Sequence, residues 1–215
     1  DTSSVVTMEG MFSAADGYNT TGIDFNQPIG TWNTSNVTNM SKMFKYAKVF
    51  NQEISTWDTG NLTDASHMFQ YASSFNKSLN SWDVSKLVTA EGMFYYANAF
   101  SQNLDLWNTA SLTNISSMFR DIWNFNGNIT TWDTSKVTNM AYAFYNSQGF
   151  NQPINTWDVS NVTNMSWLFF NGIFNQPLNN WNVSNVTDMS NMFTAAANFN
   201  QDISMWDVSK VTTMY

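Results

Sequence analysis

The 215-residue chain has no cysteine, which excludes disulfides and thiolate metal sites, although a long repeat core needs no such staples. It has a single histidine, His67, and a single arginine, Arg120. Only 11% of residues are charged and the net charge is −8, so the basic footprint that nucleic acid or an anionic membrane requires is missing. No apolar run is long enough to span a bilayer, and no signal-like segment opens the chain at Asp1. Nucleic-acid binding and membrane insertion are therefore not expected. With 16% aromatic residues, the chain is too apolar to be disordered.

What the chain has instead is repetition. "FNQPINTWDVSNVTNMS" at Phe150 has close copies in "FNQPIGTWNTSNVTNMS" at Phe25 and "FNQPLNNWNVSNVTDMS" at Phe174. Trp32, Trp57, Trp82, Trp107, Trp132 and Trp157 recur every 25 residues, and Trp181 and Trp206 follow after a step of 24, giving eight copies. A partial unit precedes them, residues 5–24, in which "VVTMEGMF" reproduces "NVTNMSKMF" and "SAADGYNTTGID" reads as an inserted surface loop. One domain of residues 1–215 is expected, with the full repeats over 25–215.

Within a unit, Ile154, Trp157 and Val159 read as a short strand. Met40, Met43, Phe44 and Ala47 stand at i, i+3, i+4 and i+7, the spacing of a helical face. Thr38, Thr63, Thr113, Thr138, Thr163, Thr187 and Thr212 then fall where such a helix would be capped. The Asn after each opening Phe, Asn26, Asn51, Asn76, Asn126, Asn151, Asn175 and Asn200, suggests a ladder of amides that satisfies turn backbone, with Ser101 the exception. The expected fold is a leucine-rich-repeat-like solenoid of about eight coils. Each coil would hold one short parallel strand and one short helix, with the Trp column buried in the stack.

The pattern "FNQxIxxWDVSNVTNMSxMFxxA" resembles the BspA-like leucine-rich-repeat class of bacterial surface proteins, also known as a mycoplasma-type repeat of unknown function. The likeness covers Val5 to Tyr215. What it implies is a leucine-rich-repeat-like fold on secreted or cell-surface molecules, linked to adhesion.

An enzyme is not expected, because catalysis needs differentiated groups converging on one pocket and repetition spreads equivalent groups along a face. His67 has no repeated partner. No cofactor and no metal site are expected. The candidate ligand-binding column is the residue after each Trp: Asn33, Asp58, Asp83, Asn108, Asp133, Asp158, Asn182 and Asp207, which strand alternation would turn onto a sheet face. A solvated acidic face is its plainer reading. A neighbouring column, Thr31, Thr56, Ser81, Leu106, Thr131, Thr156, Asn180 and Met205, is too interrupted for a flat ice-binding array. Sequons, among them Asn19, Asn36, Asn61, Asn161 and Asn185, arise automatically from "SNVTNMS" and would carry glycans only in a host that uses them.

The ends are the last feature. Met8, Met11 and Phe12 enter without a preceding coil, and Trp206, Val208, Val211, Met214 and Tyr215 stand in full repeat register at the other end. Ends in matching phase are expected either of an excerpt from a longer repeat protein or of a subunit that stacks head to tail, and heterologous contacts of the second kind build open fibres. The sequence thus points to a non-catalytic structural or adhesive repeat protein at the cell surface or outside the cell, associating end to end or with surface proteins and glycans. The alternative is a module that recognises glycan or protein through the Asp/Asn/Thr column.

Overall fold

The computed structural model describes residues 1–14 and 23–215. Most of the inserted loop, with the sequon at Asn19, lies outside these residues.

The leucine-rich-repeat-like solenoid, with a strand and a helix in every coil, is not what the chain forms. Among the described residues there is no helix, and β-structure is confined to isolated parallel bridges in otherwise turn-built and irregular chain. The bridges run in one line, Thr7 to Asn39, Asn39 to Asp64, and onward through Thr89, Asn114, Asn139, Asn164 and Asp188 to Thr213. Successive repeats are therefore stacked in register, one residue deep at each bridge.

Hydrogen bonding shows why the helical spacing misleads. From Ala65 to Ala72 the backbone donors alternate. Ala65, His67, Phe69 and Tyr71 donate across to Thr89, Glu91, Met93 and Tyr95 of the next coil, while Met68, Gln70 and Ala72 close local turns onto the residue three earlier. An α-helix would send every one of these donors to the residue four earlier. The alternation needs left-handed backbone at two points per coil, as at Lys42 (φ 58°) and Tyr46 (φ 64°) or His67 and Tyr71, which a right-handed helix forbids. Met40, Met43, Phe44 and Ala47 are all fully buried, so the apolar face is real but a chain of turns presents it.

The expected strand fails for a related reason. Trp157 N–H donates to the Ile154 carbonyl at 3.1 Å and Val162 N–H to Val159 at 2.9 Å, so two tight turns interrupt the run. The threonines do not cap helices either. Thr63 sends both its backbone N–H (2.8 Å) and its hydroxyl (3.0 Å) to the Thr38 carbonyl of the preceding coil, and Thr138, Thr163 and Thr187 repeat the arrangement.

The core is columnar. Each buried Trp indole donates to an aliphatic carbonyl of the preceding coil: Trp57 to Ile29, Trp82 to Ile54, Trp107 to Leu79, Trp132 to Leu104. Two phenylalanine columns stack beside them, with Phe44 and Phe50 at 3.9 Å inside one coil and Phe44 and Phe69 at 5.6 Å between coils. Burying one such ring removes about 150–250 Å² from water, an upper figure of about 4–6 kcal/mol at about 25 cal/mol/Å². Outside the rings, the asparagine ladder holds as the sequence suggests. Asn26 Oδ1 accepts from Asn51 N–H, Asn51 from Asn76 and Asn151 from Asn175, each at 2.9–3.0 Å.

Candidate functional site

The column after each Trp is solvent-exposed along its whole length, from Asn33 through Asp58, Asp83, Asn108, Asp133, Asp158 and Asn182 to Asp207. It does not lie on a sheet face, because no sheet exists there and the bridge line passes six residues further along each repeat. Each side chain instead closes a turn by accepting from the N–H two residues on. Asp133 Oδ1 takes both the N–H (3.0 Å) and the hydroxyl (2.6 Å) of Ser135, and Asn33 takes both from Ser35. Asp58, Asp83, Asp158, Asn182 and Asp207 accept the corresponding N–H. Asp and Asn interchange here because both supply the same acceptor.

Those bonds set the charge state. The hydroxyl and N–H of Ser135 hold the Asp133 carboxyl below its ordinary value, as Ser85 does for Asp83 and Ser209 for Asp207. At neutral pH the column is ionised at each of these three aspartates. The nearby lysines act in the same direction, Lys86 on Asp83, Lys136 on Asp133 and Lys210 on Asp207, while Lys86 Nζ donates to Asn61 Oδ1 and Lys210 Nζ to Asn185 Oδ1, each at 2.6 Å. Among the described residues no group of three His, Cys, Asp or Glu is placed to hold a metal.

The threonine column beside it is also exposed, with Leu106 (71%) and Met205 (84%) standing out into water. Its hydroxyls are committed: Thr56 donates to the Gly30 carbonyl, Ser81 to Ser55 and Thr131 to Asp105. The sequon amides at Asn36, Asn61, Asn161 and Asn185 likewise donate to carbonyls of the preceding coil, each at 2.7 Å.

His67 makes no catalytic constellation. Its Nε2 stands 3.8 Å from Glu91 Oε1, its Nδ1 is buried without a partner against Gly92, and burial pushes its pKa down.

The two ends differ. At the first coil Met8 is buried, Phe12 stacks on Phe25 at 3.8 Å, and Met11 is exposed. At the last, Val211 is half-buried, and the exposed Val208, Met214 and Tyr215 line an apolar hollow of about 590 Å³ together with the half-buried Trp206 and with Met189, Met192 and Phe193. Backbone polarity follows the same axis. Trp167, Phe169 and Asn171 N–H donate to Ser190, Met192 and Thr194, whereas their counterparts Asn191, Phe193 and Ala195 donate to no acceptor among the described residues.

Two residues with distinct surroundings were not singled out by the sequence reasoning. The Arg120 guanidinium lies 4.7–5.0 Å from the rings of Tyr95, Tyr142 and Tyr145, and Trp123 is 53% exposed. Their signal was available as departures from the repeat, "FRDIW" at Phe119 against "FQYAS" at Phe69.

The sequence model of one family matches twice in tandem, over residues 20–125 and 113–215, and its description reads Mycoplasma protein of unknown function, DUF285. The chain belongs to that mycoplasma-type repeat family. The match does not extend to the BspA-like or leucine-rich-repeat class in particular. Neither a curated protein nor a solved structure matches the chain significantly.

Proposed function

We propose that this member of the mycoplasma-type repeat family is a non-catalytic structural or adhesive element, at the cell surface or outside the cell, that associates end to end. The observation that carries the reading is the pairing that joins one coil to the next, in which N–H groups such as those of Trp167, Phe169 and Asn171 donate to Ser190, Met192 and Thr194 and the same step repeats along the stack. Asn191, Phe193 and Ala195 stand at the same positions beside an apolar hollow lined by Trp206, Val208 and Met214, where a further coil of the same repeat fits. In a solution of the 215-residue chain a second copy supplies it, through the carbonyls of Glu9, Met11 and Ser13, which stand at the repeat positions of the acceptors Ser41, Met43 and Lys45. Such a contact is heterologous and propagates. Sedimentation velocity with negative-stain microscopy tests it. Concentration-dependent oligomers or filaments are expected, and Val208→Lys with Met214→Lys should return them to monomer. A monomer at every concentration, with no filaments, overturns end-to-end association.

A second reading rests on the exposed column from Asn33 to Asp207. It repeats one exposed carboxylate or amide per coil in the same register, a surface suited to glycan or protein recognition. Replacing Asp133 and Asp158 together by Ala should then weaken binding to host-surface glycans or proteins, and unchanged binding removes this reading.

A further inference from the structure

Trp123 stands outside the tryptophan column. Eight tryptophans keep the repeat step, and Trp167 stacks on Tyr142 at 5.9 Å, but Trp123 is 53% exposed and no ring packs on it among the described residues. The equivalent positions of four other coils hold Lys48, Ser73, Asn98 and Gln148, with Ala197 in the last. The exposed indole thus stands between polar residues of the neighbouring coils.

Its surroundings are amides. Asn98 occupies the same position one coil earlier, and the Asn124 amide donates to its backbone carbonyl at 3.3 Å. Asn98 Oδ1 is shut from solvent without a hydrogen-bond partner. One coil later, Gly149 lets the chain pass close to Trp123, since a Cβ there would lie 2.8 Å from the Trp123 carbonyl oxygen. Gln148, the residue before Gly149, is exposed, with its amide nitrogen held by the Asn171 carbonyl and by Asn146 Oδ1. The neighbouring cation, Arg120, is engaged. Arg120 Nε lies 3.3 Å from Asp121 Oδ2, inside the ring cage of Tyr95, Tyr142 and Tyr145.

We propose that Trp123, flanked by Asn98 and Gln148, is a stacking subsite for one pyranose ring of a neutral glycan. A pyranose has an apolar C–H face that fits an open indole and a rim of hydroxyls that suits polar rather than apolar neighbours. A protein partner would need a contiguous apolar patch, and the positions on either side of Trp123 are polar. An acidic glycan would meet a chain of net charge −8 with no open cation at the site. The subsite lies in mid-stack, so it stands or falls independently of the end contacts and of the Asp/Asn column.

Calorimetric titration of the 215-residue protein with cellohexaose, maltohexaose and chitohexaose, and with sialyllactose as the acidic comparison, tests the assignment. At least one neutral hexasaccharide should bind. Trp123→Ala should weaken it about tenfold or more, the loss of an aromatic stack, with the thermal melt unchanged. Trp123→Phe should retain part of the affinity. Absence of binding to all three neutral sugars at millimolar concentration overturns the proposal. So does undiminished binding by Trp123→Ala, or preferential binding of sialyllactose.

Discussion

The indole of Trp107 donates to the backbone carbonyl of Leu79, 2.8 Å away in the preceding coil, and the same carbonyl accepts the Trp82 N–H at 3.0 Å. One oxygen therefore closes a turn within its own coil and ties the next coil down. Trp107→Ala should cost about 3–5 kcal/mol through lost burial and the cavity left behind. Trp107→Phe keeps much of the burial and should lose less, about 1–3 kcal/mol for the missing donor and the smaller ring. Denaturant melts of the two variants separate the contributions, and equal losses would show that the hydrogen bond contributes nothing.

The asparagine ladder has one defective rung. Asn76 Oδ1 accepts from Ser101 N–H at 3.0 Å, but Ser101 has no amide oxygen to offer Asn126 in turn. Ser101→Asn should restore the rung and raise stability by about 0.5–1.5 kcal/mol, the net worth of one hydrogen bond. Asn76→Ala should do the reverse and leave the Ser101 N–H unpaired, at about 1–3 kcal/mol. Thermal melts of both variants check the pair of signs.

Thr59 is buried with its hydroxyl unpaired, whereas Thr34, Thr109 and Thr134 at the same position each donate to a carbonyl of the next coil at 2.8–3.0 Å. Val84, Val159 and Val183 fill the position in other coils. Thr59→Val should therefore stabilise by about 1 kcal/mol or more, because it removes a buried polar group with no partner. Thr134→Val, which breaks a formed bond, should not, and a matching gain there would contradict the assignment.

Gly92 carries the left-handed backbone (φ 56°) that Lys42, His67 and Ser117 adopt at a steric cost. A Cβ at Gly92 would meet His67 Nδ1 at 2.4 Å. Gly92→Ala should destabilise by more than about 1 kcal/mol, and Ser117→Gly should be neutral or stabilising by up to about 1 kcal/mol. Chemical denaturation of the two single variants gives both signs.

His67 and Asp133 should respond to pH in separate windows. Burial holds the His67 imidazole below its ordinary 6.5, more than Glu91 raises it, with Lys45 and Lys42 also lowering it and Asp64 raising it. The unfolded chain therefore takes up the proton first, and stability should fall as pH drops through 6.5 and level off below the folded value. Asp133 is held below its ordinary 3.8, so its contribution is complete above that pH and is lost as pH falls through the lowered value. Thermal melts from pH 8 to about pH 2 should show the first loss removed by His67→Asn and the second reduced by Asp133→Asn, with Asp83 and Asp207 supplying a remainder of the same sign. Asp133→Asn should leave the fold intact, since Asn33 makes the same turn with Ser35.

Much of the architecture was legible in the repeat itself. The step of 25, fixed by Trp32 to Trp157, set which residues would meet, and Trp132 and Trp157 do stack, at 5.9 Å. Inward and outward faces were legible too. Met40, Met43 and Phe44 are buried and Asp58 and Asp83 are exposed, because burial follows the pattern of apolar side chains whatever backbone carries them. Tertiary structure alone decided that backbone. An i, i+3, i+4, i+7 pattern serves an α-helix and a string of left- and right-handed turns equally well. The choice depends on where the N–H groups of residues such as His67 and Phe69 find acceptors, and those are the carbonyls of Glu91 and Met93, 24 residues away in the chain. Propensity at Lys42, Tyr46 or Trp167 argues against left-handed φ, and the inter-coil hydrogen bonds and ring stacks outweigh it. The turn-closing role of the Asp/Asn column, the exposure of Trp123 and the caging of Arg120 were fixed the same way, by neighbours that only stacking brings within reach.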